Sequence, residues 1–298
     1  MKKNYKLLIL IFILVPLLFA SCASKQKAQD IPPEPKVEEV KAPDVEKEDP
    51  KQEDVKPEVP KTDPLLANLK LFQGENGKVN KARKKAVELG ADEAYPDFFN
   101  AADDVKQTAD TAAETGNLKE AIAKYDEAVI KYETLSNLMS SAALRTEIEA
   151  NGFAAYSPSD YADAERFSIN TVDHYPLDHK MAKESSEDAL KLYKKVVNKG
   201  YFEFAKTAKD SAKESKYYCD SIKVARSRKE EYNNAVRTYN RGKSAADMAD
   251  YKEAYISYDG AAKLFAKLYV EVSLKRAEAE RAMAEAAKRQ QESSDLAL

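Results

Sequence analysis

A pattern of alternating small and bulky residues occurs three times in the chain, and it restricts the possible folds more than any other feature. It reads Ala121-x-x-x-Tyr125-x-x-Ala128-x-x-x-Tyr132, then Ala182-x-x-x-Ser186-x-x-Ala189-x-x-x-Tyr193, then Ala254-x-x-x-Tyr258-x-x-Ala261-x-x-x-Phe265. Residues three and four apart share one face of a helix. In the first copy Leu118, Ala121, Ile122, Tyr125, Ala128, Val129 and Tyr132 therefore make an apolar stripe, with Lys119, Glu120, Lys124, Asp126, Glu127 and Lys131 on the other side. Alanines admit a neighbouring helix closely, and the tyrosines fill the space beside that contact. Each copy follows an aromatic-x-x-Ala step at a nearly constant interval: Phe98 with Ala101, Tyr161 with Ala164, Tyr232 with Ala235. Every repeat thus predicts two helices, and three repeats predict a stacked all-α domain.

On these residues the chain resembles the tetratricopeptide (TPR) family. That family's second helix reads Gly, an aromatic or Leu, Ala, an aromatic and Ala, here Gly116, Leu118, Ala121, Tyr125 and Ala128. The third copy has Ala249 in place of the glycine, and the second keeps only the two alanines. The copies begin at Ala121, Ala182 and Ala254, intervals close to twice the roughly 34 residues of that family, so longer or additional helices are expected. The resemblance implies a TPR-like helical-hairpin, α-solenoid-like domain that binds a protein partner.

The amino terminus sets the address. Lys2, Lys3 and Lys6 precede an apolar run from Leu7 to Ala20, and Phe19-Ala20-Ser21-Cys22 closes it. The run falls short of the roughly 20 apolar residues that a membrane-spanning helix needs, and it reads as a signal peptide over 1–21. The small residues before Cys22 resemble the lipobox of bacterial lipoproteins, with Phe19 where Leu is usual, a looser form seen in spirochaetes. That resemblance implies a covalent lipid on Cys22, with no other cofactor, and anchoring in the bilayer on the periplasmic side, the outer membrane being favoured. Acyl burial at about 0.8 kcal/mol per methylene makes such an anchor effectively permanent. Residues 22–64 form the next unit. Its run IPPEPKVEEVKAPDVEKEDPKQEDVKPEVPKTDP lacks aromatic residues and has Pro every few positions, so it is expected to be a disordered Pro/Glu/Lys-rich linker. With an extended bias, a linker of roughly 40 residues reaches at most about 120 Å.

The all-α repeat domain is expected over 65–292, with a flexible tail at 293–298. Lys78 to Leu89 reads as an amphipathic helix ended by Gly90 and carries a basic cluster of Lys78, Lys81, Arg83, Lys84 and Lys85. Pro96 starts a helix that runs to Gly116, and the helix after it continues toward Asn151-Gly152. Ser157, Pro158 and Asp160 predict an N-cap with an approximate capping box. Gly200 is expected to close a helix begun near His179, with two helices or one bent helix between Tyr201 and Ala249. Asp250 is placed to cap the last helix.

Chemistry is thinly written. His174 and His179, each preceded by Asp, flank a proline turn at a spacing that matches no metal motif and are expected to serve helix ends. Cys219 has no histidine near it in sequence and reads as a buried, inert thiol. No serine elbow, phosphate loop or zinc-protease pattern occurs, and an enzyme is not expected. Removing 1–21 takes three of the 48 basic residues and none of the 51 acidic ones, so the processed chain is acidic and nucleic acid is not an expected partner. Most of the seventeen tyrosines lie on apolar stripes, while Tyr201-Phe202-x-Phe204 and Tyr217-Tyr218 fall outside them and could line a groove. The reading is an envelope scaffold with a protein partner. A peptidoglycan-contacting structural lipoprotein and a small-ligand-binding accessory of a transport system stay open beside it.

Overall fold

The computed structural model describes residues 63–296. The signal peptide, Cys22 and nearly all of the linker lie outside the described residues. Within them every regular element is a helix: α1 (Pro64–Phe72), α2 (Lys78–Glu88), α3 (Ala91–Ala94), α4 (Pro96–Glu114), α5 (Leu118–Asn151), a 3-10 turn (Phe153–Tyr156), α6 (Pro158–His174), α7 (His179–Ser221), α8 (Val224–Ser227), α9 (Lys229–Asp247) and α10 (Tyr251–Leu296). No helix among the described residues is long and apolar enough to cross a membrane.

Three hairpins each join a short helix to a long one: α4 with α5, α6 with α7, α9 with α10. The same corner precedes each short helix. A residue in the left-handed region (Gly90, Gly152, Lys223) ends the preceding helix, and one helical turn follows, opening on a fully buried residue: Ala91, Phe153, Val224. Pro96 and Pro158 then start α4 and α6, where the missing amide is harmless. Because the corners stand at Gly90, Gly152 and Lys223, α2 takes the place before the first hairpin that the ends of α5 and α7 take before the later ones.

The long helices run in the same direction and overlap by half. Asn137 of α5 hydrogen-bonds Ser186 of α7 at 3.0 Å, and Glu147 accepts from Tyr201 at 2.7 Å, so residue numbers rise together. Phe202 with Tyr251 and Tyr218 with Tyr269 show the same order between α7 and α10. The second half of α5 therefore lies against the first half of α7, and the second half of α7 against the first half of α10.

That overlap corrects the expectation at Gly200. The residue does not close a helix: α7 continues through it to Ser221. It is glycine because Phe153 lies on it, and a Cβ there would sit 2.2 Å from the Phe153 ring. The stretch Tyr201 to Ala249 is accordingly the second half of α7, then α8 and α9. A second correction is one of register. Phe99 and Ala102, not Phe98 and Ala101, are the buried counterparts in α4. Phe98 instead stacks on Tyr175 at 4.4 Å and links the first hairpin to the second, while Phe99 meets Tyr132 of its own long helix at 5.6 Å. Ser157 stands at the N-cap of α6, but its hydroxyl donates to the Asp160 carboxylate at 2.6 Å and caps no backbone amide. Asp250 does accept from the Glu253 amide at 3.1 Å. α10 is exposed from about Leu274 onward and stays helical to Leu296, so residues 293–296, expected as flexible tail, are its last turn.

Candidate functional site

The repeat residues come together in the core. Ala121, Tyr125, Ala128 and Tyr132 on α5, Ala182, Ser186, Ala189 and Tyr193 on α7, and Ala254, Tyr258, Ala261 and Phe265 on α10 are all buried. Buried tyrosines bring a hydroxyl that needs a partner, and the hairpins meet that need in a repeated way. In the first, Asp103 accepts from Tyr132 and from Arg83 Nε and Nη2, at 2.7 and 2.9 Å. In the second, Glu165 accepts from Tyr193 at 2.6 Å and pairs with Arg145 at 3.0 Å. The arginine precedes the acid by the same interval in both, 83 to 103 and 145 to 165. In the third hairpin the ring is Phe265 and the acid's place is taken by Val236, next to Ala235 as Asp103 is next to Ala102 and Glu165 next to Ala164. Hydroxyl and acceptor are absent together, as the cost of an unpaired buried polar group requires. The cation at the same spacing, Lys216, turns to Asp220, which also receives the Tyr232 hydroxyl.

Burial alone would raise the Asp103 pKa, but hydrogen bonds from Arg83 and Tyr132 and the Arg83 charge outweigh it and hold the carboxyl below its ordinary value. Burial, then the acid beside each, pushes the Tyr132 and Tyr193 hydroxyls far above the usual tyrosine range. These groups are closed into pairs and hold helices together. Beside the first set lies an open polar cleft of about 380 Å³ between α2 and α4, lined by Asn80, Arg83, Asp103, Lys106, Gln107 and Asp110. Its charges are likewise paired: Lys106 with Asp110 at 2.8 Å, and Asp110 with the Tyr125 hydroxyl.

The open surface is aromatic. Where the second and third hairpins meet, Tyr156 packs edge-on to Phe204 with centroids 6.2 Å apart, Phe204 meets Tyr255 at 5.4 Å, and Phe202 meets Tyr251 at 5.1 Å. Tyr156 and Phe202 are 43% and 38% exposed, and the other three are half-buried. Lys199 lies 4.8 Å over the Phe202 ring. The 3-10 turn, the middle of α7 and the start of α10 supply these rings, so the surface needs α7 to pass unbroken through Gly200. Tyr217 and Tyr218 form a second patch with Tyr269 farther along α7 and α10.

Cys219 is buried and donates to the Phe265 carbonyl at 3.0 Å; burial pushes its thiol up to about 11. His174 ends α6 and His179 opens α7, whose cap is Asp178, accepting from the Lys180 and Met181 amides. No three His, Cys, Asp or Glu residues among the described residues are grouped to hold a metal. The basic cluster of α2 is divided: Arg83 serves Asp103, Lys78 lies over Phe72, and Lys81 and Lys85 are exposed. The Arg-acid-Tyr sets escaped the sequence reading, although the repeated interval from arginine to acid was there to find.

Fold and surface together define an all-helical repeat protein of half-overlapping hairpins, held by internal charge sets and presenting an aromatic face. The chain belongs to the treponemal membrane protein A family. It is 33% identical to treponemal membrane protein A of Treponema phagedenis over 232 residues, covering 76% of this chain and 67% of that protein. It is 30% identical to the protein of the same name from Treponema pallidum (strain Nichols) over 220 residues, 74% of this chain and 64% of that one. Both relatives come from spirochaetes, the group whose looser lipobox the sequence resembled. The chain thus matches about two thirds of the length of these relatives. No family model and no solved structure matches it.

Proposed function

We propose that the chain is a lipid-anchored envelope protein whose TPR-like helical repeats form a scaffold for a protein partner. The name shared by the relatives, membrane protein, supports the location, the lipobox ending at Cys22 supports a lipid anchor, and Ala23 after the cysteine, where Asp would be a retention signal by analogy with enteric bacteria, favours the outer membrane. The observation that carries the scaffold reading is two groups of partly open rings where the second and third hairpins meet, Tyr156 with Phe204 and Tyr255, and Phe202 with Tyr251. Rigid aromatic side chains left partly open between packed helices are the usual anchors of protein interfaces. The rings lie on three elements fixed by the core, so the surface is formed before a partner arrives and ordering it costs little.

The test is affinity purification of the lipidated protein from crosslinked cells, beside Cys22→Ala and beside the double variant Phe202→Ser, Tyr156→Ser. The scaffold reading expects an envelope protein that follows the native chain and is lost from both controls. A partner retained by the double variant would place the interface elsewhere, and recovery of peptidoglycan alone would favour wall contact.

A further inference from the structure

The three corners share one backbone shape and differ steadily in charge. Counted from the left-handed position, they cover 90–97, 152–159 and 223–230. The first contains three acids, Asp92, Glu93 and Asp97, and no base. The second contains no charged residue, and the third has four bases, Lys223, Arg226, Arg228 and Lys229, against Glu230. Local pairing offsets one of these charges. Among the described residues Arg228 alone of the corner cations meets carboxylates, those of Glu231 and Glu271. Lys223, Arg226 and Lys229 are exposed, and Arg276 joins them by donating to the Ile222 carbonyl at 2.5 Å. One exposed apolar side chain stands beside the acidic corner, Leu89 directly before it.

We propose that the basic third corner docks the acidic first corner of a second copy of this chain, head to tail. Complementarity chooses this occupant. Two turns of the same length and geometry carry a net charge of three, with opposite signs, and the turn between them is neutral. Opposed charged surfaces fix register and raise the rate of encounter, and Leu89 adds apolar area at the rim of the acidic one. The two surfaces are different patches, so the contact is heterologous and leaves a free corner of each sign on every pair. Assembly therefore grows with concentration instead of stopping at a dimer. The residues involved lie apart from the aromatic surface, so this inference and the scaffold reading fail separately.

The experiment uses the full chain in detergent and follows mass by analytical sedimentation at about 50 mM and about 500 mM salt, either side of strong screening. A head variant, Asp92→Lys with Glu93→Lys, and a tail variant, Arg226→Glu with Lys229→Glu, change only exposed or half-exposed side chains; circular dichroism checks their helix content. The proposal expects salt-sensitive growth of the native chain and about tenfold weaker association for each variant alone. It also expects recovery in an equimolar mixture, where the head variant's intact basic corner meets the tail variant's intact acidic corner. A native chain that stays monomeric, association indifferent to the reversals, or a mixture that does not recover would overturn it. So would a monomeric chain whose binding to phosphatidylglycerol vesicles is lost in the tail variant, since the basic corner would then face lipid.

Discussion

Two buried tyrosines separate a satisfied hydroxyl from an unsatisfied one. The Tyr132 hydroxyl reaches Asp103, whereas the Tyr258 hydroxyl, equally enclosed, has no partner. Tyr132→Phe should therefore lower unfolding stability by about 1 to 2 kcal/mol, and Tyr258→Phe should leave it unchanged or raise it by about 1 kcal/mol. Urea denaturation of the two variants checks this, and equal losses would contradict the assignment. Asp103 adds a pH dependence. Its folded pKa lies below the ordinary 3.8, so the stabilisation is present above that value and is lost as pH falls through the folded pKa. The difference in stability between the native chain and Asp103→Asn should accordingly be widest near neutral pH and shrink below about pH 4 in acid titrations followed by circular dichroism.

At the scale of elements, two helical glycines have opposite reasons. A Cβ at Gly200 would strike the Phe153 ring, while at Gly260 the nearest atom is Thr238 Cγ2 at an ordinary 3.7 Å. Gly200→Ala should cost about 2 kcal/mol by overpacking. Gly260→Ala should add about 0.5 to 1 kcal/mol through helix propensity alone. Thermal melts of the pair separate the cases, and a harmless Gly200→Ala would contradict the close approach. Ala249 belongs beside them: it holds φ 59°, the left-handed region that Gly116 fills at the equivalent turn. Ala249→Gly should therefore stabilise by about 1 kcal/mol in the same assay. These positions also show what the sequence made legible. Gly90 and Gly152 were readable as helix ends because a glycine at the end of an amphipathic run supplies a left-handed cap. Gly200 has the same letter, but its cause is the ring of Phe153, far back in the chain, and no local pattern records that. The Ala/Tyr stripes were legible because their spacing is the helical period itself. The register of Phe98 and Phe99 was not, because adjacent aromatics face different hairpins.

Across the whole helical unit the organising device is overlap. The middle long helix, α7, packs its first half against the second half of α5 and its second half against the first half of α10. The sequence indicated three repeats and their unequal spacing, but hid the overlap, since nothing local distinguishes a long helix from two short ones when a glycine stands in its middle. The aromatic surface inherits that uncertainty. Tyr201-Phe202-x-Phe204 was visible as a candidate, while Tyr156 and Tyr255 join it only because α7 is continuous. The proposed scaffold role rests on this surface, as the proposed lipid anchor rests on the lipobox, and unbroken passage through Gly200 is the condition the surface depends on. The most direct test is a distance between spin labels at positions 180 and 213 on the exposed side of α7, measured by double electron–electron resonance. Continuous helix predicts about 50 Å at roughly 1.5 Å per residue. A distance below about 35 Å would mean that the chain turns near Gly200, and would contradict both the overlap and the surface built on it.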